Sequence, residues 1–257
     1  MKKKLAAILE VNNLSVFSNE NPLLQNISFN LKRYSILGII GESGSGKSLT
    51  ALSILNILKY KGLKQIGNII YNGDNIRSYD SNQFRGFLKK EIGIIFQDPS
   101  SYLNPSMKCG DQMLEVINQK SSKDFLSEIL KKVKFSNPKE ILNRYPHELS
   151  GGQKQRIMIA MMIVKNSKII ICDEATSSLD ALIKKEIIEL LLNLKKEFEL
   201  SMIFISHNLK LIHKICDEVV FLKNGKLVEK GNTNDVFKSP KNNYTKNLIE
   251  LNFKPNI

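Results

Sequence analysis

The octet Gly41-Glu42-Ser43-Gly44-Ser45-Gly46-Lys47-Ser48 fits the pattern G-x-x-x-x-G-K-S/T, and no other stretch restricts the fold of this chain as tightly. Glycines at that spacing let the backbone wrap a string of phosphates, with N–H groups and the positive end of the next helix facing the anion. The pattern has this meaning only where a buried strand enters the loop and a helix leaves it. Both flanks comply. Ser35 to Ile40 reads as a short apolar strand, and a helix is predicted from near Gly46 through Leu52, Leu55 and Leu58. In such a loop Lys47 neutralises the β- and γ-phosphates and Ser48 ligates Mg²⁺.

Two more local patterns carry chemistry. Ile169-Ile170-Ile171-Cys172-Asp173-Glu174 is an apolar run closed by two carboxylates. Asp173, at the end of a buried strand, suits the Mg²⁺ shell, directly or through water. Strand alternation sends the Glu174 side chain another way, where it can polarise an attacking water. Leu149-Ser150-Gly151-Gly152-Gln153 opens a helix, so its amides and the Ser150 hydroxyl can bind a second phosphate.

The remaining segments read as an α/β chain. Strands are predicted at Ile8–Leu14, Ile27–Leu31, Asn68–Tyr71, Ile92–Phe96, Lys168–Cys172 and Met202–Ser206. Asn72-Gly73 marks a turn, and Val219–Leu222, Asn224-Gly225 and Leu227-Val228 a hairpin. From about Pro99 to Arg144 the pattern is mostly helical. Helices are also predicted from Gly151, over Ala181–Phe198, and in the amphipathic tail beyond Asn232.

Composition removes other classes. The longest apolar run, Ile157 to Val164, is far short of the ~18 residues that span a bilayer. The basic start Met1–Lys4 is followed by apolar residues only from Leu5 to Leu9, which argues against a signal peptide and for a cytoplasmic chain. Cys109, Cys172 and Cys216 lack C-x-x-C spacing, so reduced thiols are expected, with Cys172 in the core. A net charge of +13 is compatible with nucleic acid or an anionic membrane surface. Its lysines are dispersed, as on solvated faces, and no nucleic-acid partner is expected.

In this order, the phosphate loop, the Ser150–Gln153 signature and the Asp173-Glu174 pair resemble the ATP-binding subunit of an ABC transporter over nearly the whole chain. The resemblance implies an α/β P-loop NTPase (ABC ATPase) core with an antiparallel β subdomain, formed by 1–98 and 151–257. A helical subdomain, 99–150, is inserted and ends in the signature. It implies ATP and Mg²⁺ as cofactors. Gly41, Ser43, Gly44, Ser45, Gly46, Lys47, Ser48 and Leu49 form one nucleotide-binding surface. Ser48, Gln97 and Asp173 hold the metal. Lys47, Gln97, Glu174 and His207 serve catalysis, Gln97 and His207 by contact with the γ-phosphate. Ser150, Gly151, Gly152 and Gln153 complete the site of an opposing subunit. Asp180 is the key acid of the interface loop Ser177-Ser178-Leu179-Asp180. Phe17 is the candidate for stacking on adenine, with simple core packing as the alternative. His147 shapes the turn before the signature, and His213 is a surface or packing residue.

The implied partners are two permease subunits, a second ATP-binding subunit as homo- or heterodimer, and indirectly an extracytoplasmic substrate-binding protein. The place is the cytoplasmic face of the membrane. The run Phe96-Gln97-Asp98-Pro99…Leu103-Asn104-Pro105 and the tail Val236–Pro240 with Tyr244-Thr245 are similar to the oligopeptide, dipeptide and nickel importer branch. The stop at Ile257, without that branch's cysteine-bearing extension, points to its shorter nickel or metallophore members. A soluble ABC ATPase, phosphonate-degrading or nucleic-acid-associated, is the alternative. Tyr34-Ser35, Ala175 and Ser178 depart from the family pattern without removing a catalytic group.

Overall fold

The computed structural model describes residues 6–117, 122–177 and 179–253; the basic start, Ser178 and the end at Ile257 lie outside the described residues. The chain divides into two compact units, one of residues 1–84 and 201–257, the other of residues 85–200.

The first unit carries the strand order β5-β4-β1-β2-β10-β9-β3-β8. β1 (Ala7–Ser18), β2 (Asn21–Lys32), β4 (Lys64–Tyr71) and β5 (Asp74–Asn75) pair antiparallel. β3 (Ile36–Ile40) lies between β8 (Ser201–Ile205) and β9 (Glu218–Lys223), parallel to both. β10 (Lys226–Asn232) returns antiparallel to β9 through Asn224 and Gly225, at φ 48 and 72, as a two-residue hairpin with primed turn geometry requires. Every residue of β3 and β8 is buried, which explains why these strands read as unbroken apolar runs.

Helix α1 (Lys47–Ile54) is shorter than predicted. Asn56 takes a left-handed conformation, φ 48, and the Asn56 and Ile57 N–H groups turn back to Ser53 and Leu52. This C-terminal motif closes the helix. Leu55 and Leu58 are buried beyond it, so the apolar period continues while the helix does not. α2 (Ser81–Lys90), where the chain leaves this unit, has no counterpart in the sequence expectations. Its signal is a capping pair. Asp80 accepts from the Asn82 and Gln83 amides while Gln83 accepts from that of Asp80. The tail of the chain forms α8 (Leu209–Ile215), α9 (Thr233–Lys238) and α10 (Asn243–Phe253).

In the second unit β6 (Ile92–Ile95) and β7 (Ile169–Asp173) run parallel. Between them in sequence lie α3 (Cys109–Ile117), α4 (Lys123–Lys132), α5 (Pro138–Asn143) and α6 (Gly151–Val164). α7 (Ala181–Glu197) follows β7 and buries Ile187, Ile188, Leu190, Leu191 and Leu194 along one stripe. A Cβ on Gly93 of β6 would lie 2.3 Å from Met162 Sδ, so the Met162 side chain of α6 packs directly on this strand. All three cysteines are buried free thiols, and burial pushes Cys172 far up and Cys109 to about 11. No helix among the described residues is long and apolar enough to cross a membrane.

Candidate functional site

The phosphate loop leaves the end of β3 in the first unit. Gly44 and Gly46 sit at φ 76 and 104, a region glycine enters without steric cost. A Cβ on Gly46 would stand 2.4 Å from Leu24 Cδ2, and one on Gly41 2.4 Å from Leu222 O. The hairpin turn backs the loop, with Gly225 N–H donating to Ser45 O. Lys47 is buried and donates its ammonium to Gly41 O at 2.9 Å and Glu42 O at 2.8 Å. Ser45 Oγ is buried without a hydrogen-bond partner. A buried hydroxyl of that kind is costly to leave unmade. Together with open space around Gly44, it fits a loop built to close on a polyphosphate.

Ser48 is exposed in the first turn of α1 and Leu49 is half-buried beside it. His207 lies two residues beyond β8, which pairs with β3 through Ile39 and Ile205, so His207 and the loop leave neighbouring strand ends. Phe17, near the end of β1, is half-buried rather than enclosed in the core.

The acidic pair belongs to the second unit. Asp173 is the last residue of β7 and is buried. Strand alternation does not reach Glu174, contrary to the sequence expectation. The strand stops one residue earlier and Glu174 takes φ 49. Ser177 fixes that conformation, donating both its N–H, at 3.0 Å, and its hydroxyl, at 2.9 Å, to Glu174 O. A non-glycine residue held there stores local strain. Gln97 lies two residues beyond β6, which pairs with β7 through Ile95 and Cys172. It therefore leaves the same strand edge as the acidic pair.

Several contacts that sequence reasoning missed shape the Gln97 segment. Phe96 stacks on Tyr102 with ring centroids 3.8 Å apart. Asp98 caps the turn after Gln97, accepting from Ser101 Oγ at 2.6 Å and Ser100 N–H at 2.9 Å, and these bonds lower its pKa. The Gln112 side chain holds both N–H and C=O of Asn104. Nothing in a single sequence pairs Gln112 with Asn104 or Tyr102 with Phe96.

The signature forms the start of α6. Ser150 Oγ accepts from Gln153 N–H, and Gln153 Oε1 accepts from Ser150 N–H, a reciprocal cap. The Ser150 hydroxyl keeps its hydrogen for another acceptor. Further along the helix, buried Gln155 donates to Ala175 O at 2.7 Å, tying α6 to the turn that carries Glu174. Asp180 caps α7 by accepting from the Leu182 and Ile183 amides. Replacing Asp180 with Ala should therefore lower unfolding free energy by about 1 kcal/mol and Asn by much less, because Asn caps nearly as well. Denaturant midpoints of the two variants check this. His147 stacks on Tyr145 in the turn before the signature, and His213 stacks on Phe237.

Among the described residues no group of three or more His, Cys, Asp or Glu gathers to hold a metal. Mg²⁺ does not need one, since it takes one or two carboxylates and fills its shell with waters and phosphate oxygens. Asp173, the buried carboxylate at the end of β7, is a ligand of that kind in the second unit.

Such a loop on a parallel sheet is the phosphate cradle of a P-loop NTPase, and the capped Ser-Gly-Gly-Gln helix narrows the class to the ATP-binding cassettes. The ABC transporter family profile matches residues 24–177, and the chain belongs to that family. It is 37% identical to the metal-staphylopine import system ATP-binding protein CntD of Staphylococcus aureus, over 97% of this chain and 94% of that one. With the oligopeptide transport ATP-binding protein OppD of Bacillus subtilis it shares 35% identity, over 96% of this chain and 72% of that one. The solved structure of cbiO1 from Clostridium perfringens, part of the cbiONQ ABC transporter complex, superposes with a TM-score of 0.79 at 28% identity, covering 96% of each chain.

Proposed function

We propose that this chain is the ATP-hydrolysing subunit of an importer for peptides or metal chelates. The observation that carries the nucleotide reading is the phosphate loop itself: left-handed Gly44 and Gly46, buried Lys47 on the loop carbonyls, and the unpartnered Ser45 hydroxyl. The named relatives are ATP-binding proteins of a metal-staphylopine import system and of oligopeptide transport, which favours import over a soluble, non-transport role.

ATP is the substrate. The loop amides and Lys47 hold its phosphates, and Phe17 stacks on its base. Ser48, Asp173 and Gln97 would hold Mg²⁺, which would supply charge neutralisation on the phosphate oxygens. Glu174 orients and polarises the attacking water, and His207 contacts the γ-phosphate. Positioning and charge stabilisation supply most of the rate in such chemistry. Two ATP-binding subunits, alike or related, close on two nucleotides. Ser150, Gly151, Gly152 and Gln153 of each face the other's phosphate loop, with Asp180 at the crossing. The helical segment 99–150 grips the permease pair at the cytoplasmic membrane face, and a binding protein delivers cargo from outside.

Expression at native level with a tag, gentle detergent extraction and identification of co-purifying chains tests this. Two permeases and a binding protein are expected. A soluble complex or RNA without permeases would overturn the transport reading and leave the ATPase chemistry standing.

A further inference from the structure

The tail segment Lys241-Asn242-Asn243-Tyr244 has no part in the site described so far. It is nevertheless tightly built. Glu229 on β10 accepts from the Lys241 amide at 2.8 Å and from the Asn242 amide at 3.1 Å. Asn242 Oδ1 in turn accepts from Tyr244 N–H at 2.9 Å, which starts α10. The first turn of that helix is thus fixed to the sheet by one carboxylate and one amide side chain.

From there Tyr244 reaches the phosphate loop. Its hydroxyl oxygen accepts from Glu42 N–H at 3.2 Å, across 202 residues of sequence. Lys223 Nζ lies 4.7 Å from the centroid of the same ring. Burial raises the phenol's pKa, so it stays protonated at neutral pH. The Glu42 N–H and the Gly41 carbonyl belong to one peptide group. That carbonyl is the oxygen on which Lys47 Nζ rests at 2.9 Å. One peptide plane therefore bonds Tyr244 on one side and the phosphate-binding lysine on the other. Hydrogen bonds arranged in series through a peptide polarise and orient one another.

We propose that Tyr244 is a positioning residue for the phosphate loop, fixing the Gly41–Glu42 peptide from which Lys47 is aimed, so that α10 sets the affinity for nucleotide. The inference rests on the reading of the loop as the ATP site. Tyr244 touches no reacting atom; it acts through the peptide. Glu229 and Asn242 serve the same end by holding the start of α10.

Tyr244→Phe keeps the ring and its contact with Lys223 and removes only the hydroxyl. In the full chain, titration with ATP should show affinity weakened roughly 3- to 10-fold, the value of one neutral hydrogen bond, while the thermal midpoint without nucleotide falls by no more than about 4 °C. In a Lys47→Ala background the same substitution should change ATP affinity by less than about 2-fold, because the group it aims is gone. Undiminished affinity in Tyr244→Phe, or an equal loss with and without Lys47, would overturn the proposal. A fall in thermal midpoint that accounts for the lost binding would overturn it too, as a plain stability effect. Failure of the parent chain to bind ATP would instead overturn the nucleotide-site reading, and this inference with it.

Discussion

Glu174→Gln should cut ATP hydrolysis by about 10³-fold while leaving ATP binding close to that of the parent chain. A positioned general base contributes roughly 10²–10⁴ to a rate, and glutamine keeps the shape of glutamate but cannot take the proton. The structure makes the comparison a clean one. Glu174 occupies a left-handed conformation at φ 49, held by two bonds from Ser177 to its carbonyl oxygen. Those bonds go to the main chain, and the strain belongs to the backbone with any Cβ. Glutamine inherits both unchanged, so a lost rate is a lost carboxylate. The phosphate loop, proposed to supply the binding, belongs to the other unit. Steady-state phosphate release and nucleotide titration on the same preparation check the two halves of the expectation. Hydrolysis at the parent rate would remove Glu174 from catalysis and send the search for the base elsewhere.

What the sequence disclosed divides along the reach of the forces involved. The strand–loop–helix of the phosphate loop, the helix start at the signature, the Asn224-Gly225 hairpin and the buried runs of β3, β7 and β8 rest on neighbours within a few residues, and each was legible. The end of α1 was not. The apolar period continues through Leu55 and Leu58, but Asn56 takes the left-handed turn that glycine more often supplies. The same substitution of role recurs at Asn166 after α6. β1 and β2 extend beyond their apolar cores because bulges interrupt the alternation at several places. α2 carries only a short apolar stripe and a glycine in its interior, so its capping pair was the one usable signal. In the candidate site, the sequence proposes residue types and does not contain their support. The conformation of Glu174, the clasp of Gln112 on Asn104 and the reach of Tyr244 to Glu42 are long-range or turn-specific. No spacing rule in one sequence contains them.

Gly151→Asp should leave the chain folded and able to bind ATP, yet reduce hydrolysis about 10²-fold or more. A side chain fits at this position, since a Cβ there meets Leu179 Cδ2 at an ordinary 3.6 Å. Gly152 is the poor choice for the test, because a Cβ there would lie 2.8 Å from Ile183 Cγ2. A carboxylate in the first turn of α6 also interacts favourably with the helix dipole, worth about 0.3–1 kcal/mol. Stability should hold or rise while function falls, which separates the two effects. Function falls because the carboxylate takes the place of the phosphate that the α6 amides are proposed to bind, and losing one donor aimed at developing charge costs ~10²–10³ in rate. The variant also decides whose phosphate that is. In a preparation where the chain pairs with itself, Gly151→Asp chains are mixed with Lys47→Ala chains. If the signature serves the opposing subunit, a mixed dimer gathers both lesions into one site and leaves the other whole, and hydrolysis reappears on mixing. If each signature served its own loop, every site in the mixture would carry a lesion and nothing would be regained. Mixing without recovery, with mixed dimers demonstrated, would sink the two-subunit site and require a signature that folds onto its own nucleotide.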